Sequence, residues 1–324
     1  MEANMQTHAD SWEGTAAFLL GLGLEGPLAD CPACGRQGLP LTKWVKGPKV
    51  KPISVCHPNG GGRFNVCELD AVQAKSLRTR VGLSRADVER IMTYASPYVL
   101  FSGGKDSLVT LSYMKQIADS VGRSMVALHV DTTVGFPEVE EYVADTCRQF
   151  GVVLEIVRPQ TDYFSMARNW GIPAFNSRWC CRELKIKPIS DYLKQVPGRN
   201  VVFDGIRAAE SAVRAKYMPY WFHPGFECLS VSPIFDWSDE DVLSYIQRQG
   251  LPAGSHLGLG TSAECWCGAY KTRSDFEALC HLNPELFEKL AQVEESNRNG
   301  FTFIYENGQR ISLKSIRNAQ LSGV

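Results

Sequence analysis

From residue 97 onward the hydrophobic pattern alternates between two periods. The apolar runs PYVLF (97–101), SMVALHV (124–130) and VVLEIV (152–157) are separated by DSLVTLSYMKQIADS and PEVEEYVADTCRQF, whose apolar residues recur at helical spacing. Short apolar runs between helical stretches read as buried strands, so the order is βαβαβ. The pattern continues through a helical LKIKPISDYLKQV, strands at VVFDG (201–205) and LSVSPI (229–234), and a helix over DEDVLSYIQRQG. Upstream, Ser84 with Asp87 three residues later caps a helix over RADVERIMTYA. Beyond 251 come a cysteine-bearing loop, two helices broken at Asn283-Pro284, and a hairpin, FTFIY and QRISL, around Glu306-Asn307-Gly308. The fold class this predicts is α/β, a doubly wound, mostly parallel sheet with helices on both faces, whose ligands sit at the carboxyl ends of the strands.

The pattern also sets domain boundaries. Residues 1–28 read as a loose arm, 29–75 as a small four-cysteine metal module of zinc-ribbon type, 76–250 as the α/β domain, and 251–324 as the C-terminal cysteine-bearing region. The module is rich in Gly, Pro, Lys and Cys and lacks helical periodicity, as expected where a metal replaces a core. Its knuckle, Cys31-Pro-Ala-Cys34-Gly, turns two thiolates inward, and Cys56 and Cys67, with His57 nearby, complete four ligands for Zn2+. Free thiols and an iron-sulfur site compete with that reading. Between the halves, Lys43, Lys46, Lys49 and Lys51 lie beside Trp44, a stretch that suits either a nucleic-acid backbone or a solvated face.

Composition narrows the classes. The chain has 324 residues, with 34 Lys and Arg against 35 Asp and Glu, so any nucleic-acid contact comes from a local basic patch. Eleven cysteines without a leader-like start point to metal-binding or catalytic thiols. The start, MEANMQTHADSWEG, has no basic region, and AAFLLGLGL is too short to span a bilayer. The expectation is a soluble, cytoplasmic protein with no membrane contact. Cys147, Cys228 and Cys280, in apolar surroundings, read as core thiols.

Directly after the strand at 97–101 comes Ser102-Gly103-Gly104-Lys105-Asp106-Ser107, opening a helix. Two glycines let backbone amides approach an anion, Lys105 reaches phosphate oxygens, Ser102 and Ser107 offer hydroxyls, and Asp106 can hold Mg2+. A Walker A loop is excluded, because the glycine it needs is missing from 97–101.

SGGKDS after a strand resembles the PP-loop of ATP pyrophosphatases, and further motifs resemble the phosphoadenosine phosphosulfate (PAPS) reductase family within that superfamily. These are Leu128-His129-Val130-Asp131-Thr132 with Phe136-Pro137-Glu138, the paired-cysteine run Arg178 to Lys185, Gly205-Ile206-Arg207 with Glu210-Ser211 and Arg214, and Pro233-Ile234 with Trp237 and Asp241. Together they cover roughly 95–270. The resemblance implies an adenine nucleotide α hydrolase-like fold, ATP as ligand, and a [4Fe-4S] cluster on Cys180, Cys181, Cys265 and Cys267. The distant pair here is C-x-C where the family has C-x-x-C, and a redox pair or persulfide carrier at Cys180 and Cys181 is the competing reading. Asp131 is either a turn cap or a group near ribose or metal. Arg207 and Arg214 are either surface ion pairs or phosphate contacts.

Family reductases carry a degenerate loop and an E-C-G-L-H tail, whereas this chain keeps the complete loop and its last residues are NAQLSGV. The resemblance therefore implies the thiolation-type branch. Such an enzyme cleaves ATP between the α and β phosphates, adenylates an acceptor and lets sulfur replace the oxygen, as in DNA phosphorothioation. Lys105, Asp106, Cys180 and Cys181 would be its catalytic residues, with a cysteine desulfurase as sulfur donor and a nucleic acid as acceptor. The alternatives are a PAPS or APS reductase producing sulfite, and a nucleotide-binding scaffold subunit.

Overall fold

The computed structural model describes residues 83–321 except 176, 224, 253, 255–262 and 298–300, and before them four strands by backbone alone. These are β1 (Leu28–Ala29), β2 (Leu39–Lys46), β3 (Lys49–Pro58) and β4 (Phe64–Glu68), an antiparallel sheet in that order. The module read from the sequence thus contains a sheet that its composition did not reveal. Cys56 falls at a register shift between Val55 and His57, and Cys67 is in register with Ser54. Cys31 and Cys34, and the arm before Leu28, lie outside the described residues.

The main sheet has six strands: β5 (Ser96–Leu100), β6 (Val126–Val130), β7 (Val153–Val157), β8 (Asn200–Phe203), β9 (Tyr220–His223) and β10 (Cys228–Val231). Their spatial order is β7-β6-β5-β8-β10-β9, all parallel except the edge strand β9, which runs antiparallel to β10. The mostly parallel α/β sheet expected from the alternation is therefore present. Strand residues alternate between faces. Val99, Ala127, Val201 and Phe203 point into one core, under α1 (Arg85–Tyr94), α2 (Lys105–Ser120) and α3 (Pro137–Phe150). Tyr98, Leu128 and Val202 point into another with Ile189 and Leu193. Ser84 and Asp87 form the expected capping box at α1.

The second half differs more from expectation. Asp162 caps a short helix, α4 (Tyr163–Trp170), that no sequence pattern announced. The helix over the paired cysteines starts as α5 (Trp179–Cys181), widens into a π-helical turn (Arg182–Ile186) and closes as α6 (Lys187–Leu193). π-turns are rare and often mark functional sites. The strand placed at 229–234 ends at Val231, and α7 (Asp239–Gln249) follows behind the Ser238 cap. Asn283 caps the second of the two C-terminal helices, α8 (Arg273–Leu282) and α9 (Pro284–Ser296). The hairpin of β11 (Ile304–Glu306) and β12 (Gln309–Ile311) turns through Asn307 and Gly308, both at positive φ. That is the primed turn an Asn-Gly pair favours. A last helix, α10 (Leu313–Leu321), closes a separate core of α4, α8, α9 and the cysteine loop. Among the described residues no helix is long and apolar enough to cross a membrane.

Candidate functional site

The chain leaves β5 at the point where the sheet changes direction. β6 and β7 lie on one side and β8 on the other, the place where parallel sheets bind ligands. Here Gly103 takes φ 84° and the loop turns into α2, whose start carries no side-chain cap. Its first amides therefore have no side-chain cap and carry the helix dipole behind them, an arrangement that suits an anion. Ser102 and Ser107 bring their hydroxyls within 3.1 Å of each other, and Ser107 donates to the Gly104 carbonyl.

A charge network surrounds this loop. Lys105 Nζ donates to Asp106 (3.0 Å) and Asp239 (3.2 Å). Arg207, only 1% exposed, spends its guanidinium on Asp106 (2.7 Å), Asp239 (2.7 Å) and the Trp237 carbonyl (3.1 Å). Hydrogen bonds from Arg207 and Lys105 hold the Asp239 carboxyl below its usual range. Arg207 is thus a buried tie between the loop and α7, with three of its five N–H donors spent on these partners. Arg214, further out, pairs with Glu210. Asp131, at the end of β6, accepts from the Thr133 amide (2.8 Å) and from Arg158 (3.1 Å), so it caps a turn and also lines a cavity of about 620 Å3 with Glu140, Glu264 and Lys289.

The second centre is sulfur. Cys180 donates to Cys267 with the sulfurs 3.3 Å apart, and Cys181 and Cys265 complete the group. The residues after β6 fasten the segment carrying two of these thiols. Phe136 N binds Ala263 O (3.0 Å), Trp266 N binds Val134 O (2.8 Å), and Thr132 donates to Glu264 O (2.6 Å). Lys185 pairs with Glu264 at 3.1 Å. Hydrogen bonding from Cys180, helped by Lys185 and Arg178, lowers the Cys181 thiol to about 7 against its burial. Cys267, accepting from Cys180 and Cys265, is lowered further, while Cys180 is held protonated. Burial lowers Lys271, whose ammonium sits 3.9 Å from the Trp266 ring centre, to about 8.

Four thiols from two segments form a donor set that suits a thiolate-bound metal or cluster. As arranged they hydrogen-bond to one another, and among the described residues no three His, Cys, Asp or Glu side chains stand in metal-binding geometry. A tetrahedral zinc site keeps its sulfurs roughly 3.8 Å apart. Cys180 and Cys267 are nearer than that, so a tetrahedral metal would require these thiols to spread. Cys147 and Cys228 are buried as expected of core thiols, but Cys280 is only half-buried.

The profile of the phosphoadenosine phosphosulfate reductase domain matches residues 96–257, half of the chain. The chain belongs to the PAPS reductase family. An uncharacterised Methanocaldococcus jannaschii protein is 28% identical over 196 residues, which are 60% of this chain and 46% of that one. The chain thus spans less than half of that relative's length. Sulfate adenylyltransferase subunit 2 of Alkalilimnicola ehrlichii is 26% identical, covering 57% of this chain and 67% of that protein. The crystal structure of PAPS reductase from Candida auris superposes with a TM-score of 0.45 at 22% identity, covering 62% of this chain and 97% of that one.

Sequence reasoning missed Asp239, Glu264 and Lys271. The family-like segment drew attention to Asp241, which is the capping-box partner of Ser238, while Asp239, two residues earlier, reaches the loop. Glu264 adjoins Cys265 in a segment read only for its cysteines.

Proposed function

We propose that this PAPS reductase-family protein is an ATP pyrophosphatase that adenylates an acceptor oxygen and replaces it with sulfur. One observation carries the reading: the uncapped loop helix after β5 and the thiol group fastened to the residues after β6 share the carboxyl end of one sheet, on adjacent strands. A nucleotide and a sulfur source fit side by side there.

The loop amides, Ser102 and Lys105 would hold the pyrophosphate leaving group, Lys105 exchanging its carboxylate partners for phosphate oxygens. Asp106 or Asp131 would place Mg2+. Arg207 acts through Asp106 and is a positioning residue. The acceptor oxygen attacks the α-phosphorus, pyrophosphate leaves, and a sulfur nucleophile then displaces AMP, leaving a C–S or P–S bond where the oxygen was. Cys181, already drawn toward its thiolate at neutral pH, suits receipt of sulfur from a donor such as a cysteine desulfurase. In the competing arrangement Cys180, Cys181, Cys265 and Cys267 together would hold a [4Fe-4S] cluster, which supplies thiophilic iron when bound, and Cys181 would then be a ligand and not a sulfur carrier.

Incubation with Mg-ATP, a sulfide source and candidate acceptors, nucleic acids among them, should release AMP and pyrophosphate in equal amounts. No release with any acceptor overturns the reading. Family membership favours one rival, reduction of PAPS or APS; sulfite formed from either with a thiol reductant would establish it instead.

A further inference from the structure

Exposed aromatic side chains lie close in the chain to the segments that carry the thiols. Trp170, Phe175 and Tyr270 are 55%, 56% and 57% exposed, although large apolar rings normally bury themselves. The Phe175 and Tyr270 rings meet edge to face, 5.7 Å between centres at 89°. Arg178 lies 5.7 Å from the first ring centre and 5.4 Å from the second, and donates to the Tyr270 hydroxyl. Trp170 stands edge-on to Trp179, which stacks on the buried Tyr163 and donates to the Gly171 carbonyl. Trp170 therefore rests on a buried base.

Charge adds to the picture. Among the described residues Arg178 makes no ion pair with a carboxylate; it contacts the two rings and the Tyr270 hydroxyl and also acts on the Cys181 thiol. Position adds more. Arg178 precedes Cys180 by two residues and Tyr270 follows Cys267 by three.

We propose that Trp170, Phe175, Arg178 and Tyr270 form a stacking clamp for unpaired bases of a single-stranded or looped nucleic acid, presented to the thiol group. The inference rests on the sulfur-transfer reading and gives its acceptor a chemical class. Flat rings and a planar guanidinium accept any base face, and the unneutralised arginine suits a phosphate backbone. It places a nucleic-acid contact next to the thiol-bearing segments, apart from the lysines around Trp44.

The test is fluorescence anisotropy of the full chain with labelled single-stranded DNA and RNA and with matching duplexes. Single strands should bind tighter than duplexes. Phe175→Ala and Tyr270→Ala should each weaken binding roughly 5- to 100-fold. Tyr270→Phe, which keeps the ring, should stay near the unsubstituted protein, and Arg178→Ala should also flatten the salt dependence. Thermal melting of each variant checks the fold. The clamp is overturned if single strands do not bind, if the alanine variants bind them undiminished, or if the substitutions change only self-association in sedimentation velocity. AMP release by the unsubstituted protein with Mg-ATP, sulfide and the same strands separates the two ideas. Binding without release removes the sulfur-transfer reading and supports the clamp. Release with alanine variants that bind undiminished removes the clamp alone.

Discussion

Gly205 shows how closely the loop depends on single residues. A Cβ there would stand 3.0 Å from the backbone carbon and oxygen of Asp106 and 3.1 Å from the Ser107 amide nitrogen, so the end of β8 and the start of α2 touch main chain to main chain. Gly205→Ala should push the helix start outward and weaken ATP binding about tenfold or more, since small misplacements of a binding group cost that much. Isothermal calorimetry would read it; unchanged affinity would mean the loop does not hold the nucleotide. The loop was legible because Ser102 to Ser107 combine glycine, cation and helix start in six consecutive residues. The network around it was not, since Asp106, Arg207 and Asp239 meet only through the fold. Core thiols give a pH prediction. Burial pushes Cys147 and Cys228 from 9.0 up to about 12. Above pH 9 the unfolded chain gives up protons that the folded chain keeps, so their stabilisation, complete below pH 9, is lost as pH rises toward 12. Denaturation midpoints should fall over that window, and Cys147→Val should remove about 1.4 kcal/mol per pH unit from the slope. An identical slope in the variant would discount that thiol.

At the scale of elements, the strands β5 to β8 and the helices between them were readable because their periods differ and because buried parallel strands are continuous apolar runs. Edge strand β9 escaped, its four residues lying between Pro219 and Pro224, where turn signals dominate. The π-turn escaped too, because the Arg182–Ile186 stretch has the composition of an ordinary helix. Its extra width lies next to Cys180 and Cys181 and holds Lys185, the partner of Glu264, so the departure from regular geometry falls where the thiols are set. The opposing segment is braced by Gly268, at φ 92°, where an added Cβ would lie 2.3 Å from the Phe303 ring. Gly268→Ala should cost roughly 2–3 kcal/mol from backbone strain and ring displacement together. It should also speed alkylation of Cys267, followed by mass spectrometry of the native protein. Wild-type alkylation in a destabilised variant would separate the brace from the thiols.

For the whole molecule, the division into separate cores assigns the two proposed chemistries to two structural units. The helix that opens at the loop packs in the core under α1, α2 and α3, whereas Cys180, Trp266 and Cys267 belong to the core built by α4, α8, α9 and α10. Phe136 packs against both, and the backbone rail from Thr132 to Phe136 joins them. The second core depends on a buried acid. Glu294 accepts from the Thr302 hydroxyl, the Phe303 amide (3.1 Å) and the Leu313 amide (2.6 Å), so one carboxylate fastens the hairpin and the last helix to α9. Glu294→Ala would leave two buried amides unpaired and should cost about 3 kcal/mol. Glu294→Gln, which keeps one acceptor oxygen but faces an amide with an NH2 group, should cost less. Because the loop rests on the other core, the alanine variant should lower the urea midpoint and expose Cys267 to alkylation while ATP affinity stays within about twofold of wild type, a difference of under roughly 0.5 kcal/mol. An equal loss of ATP affinity would mean that the rail transmits strain between the cores, and that the nucleotide and thiol centres work as one unit.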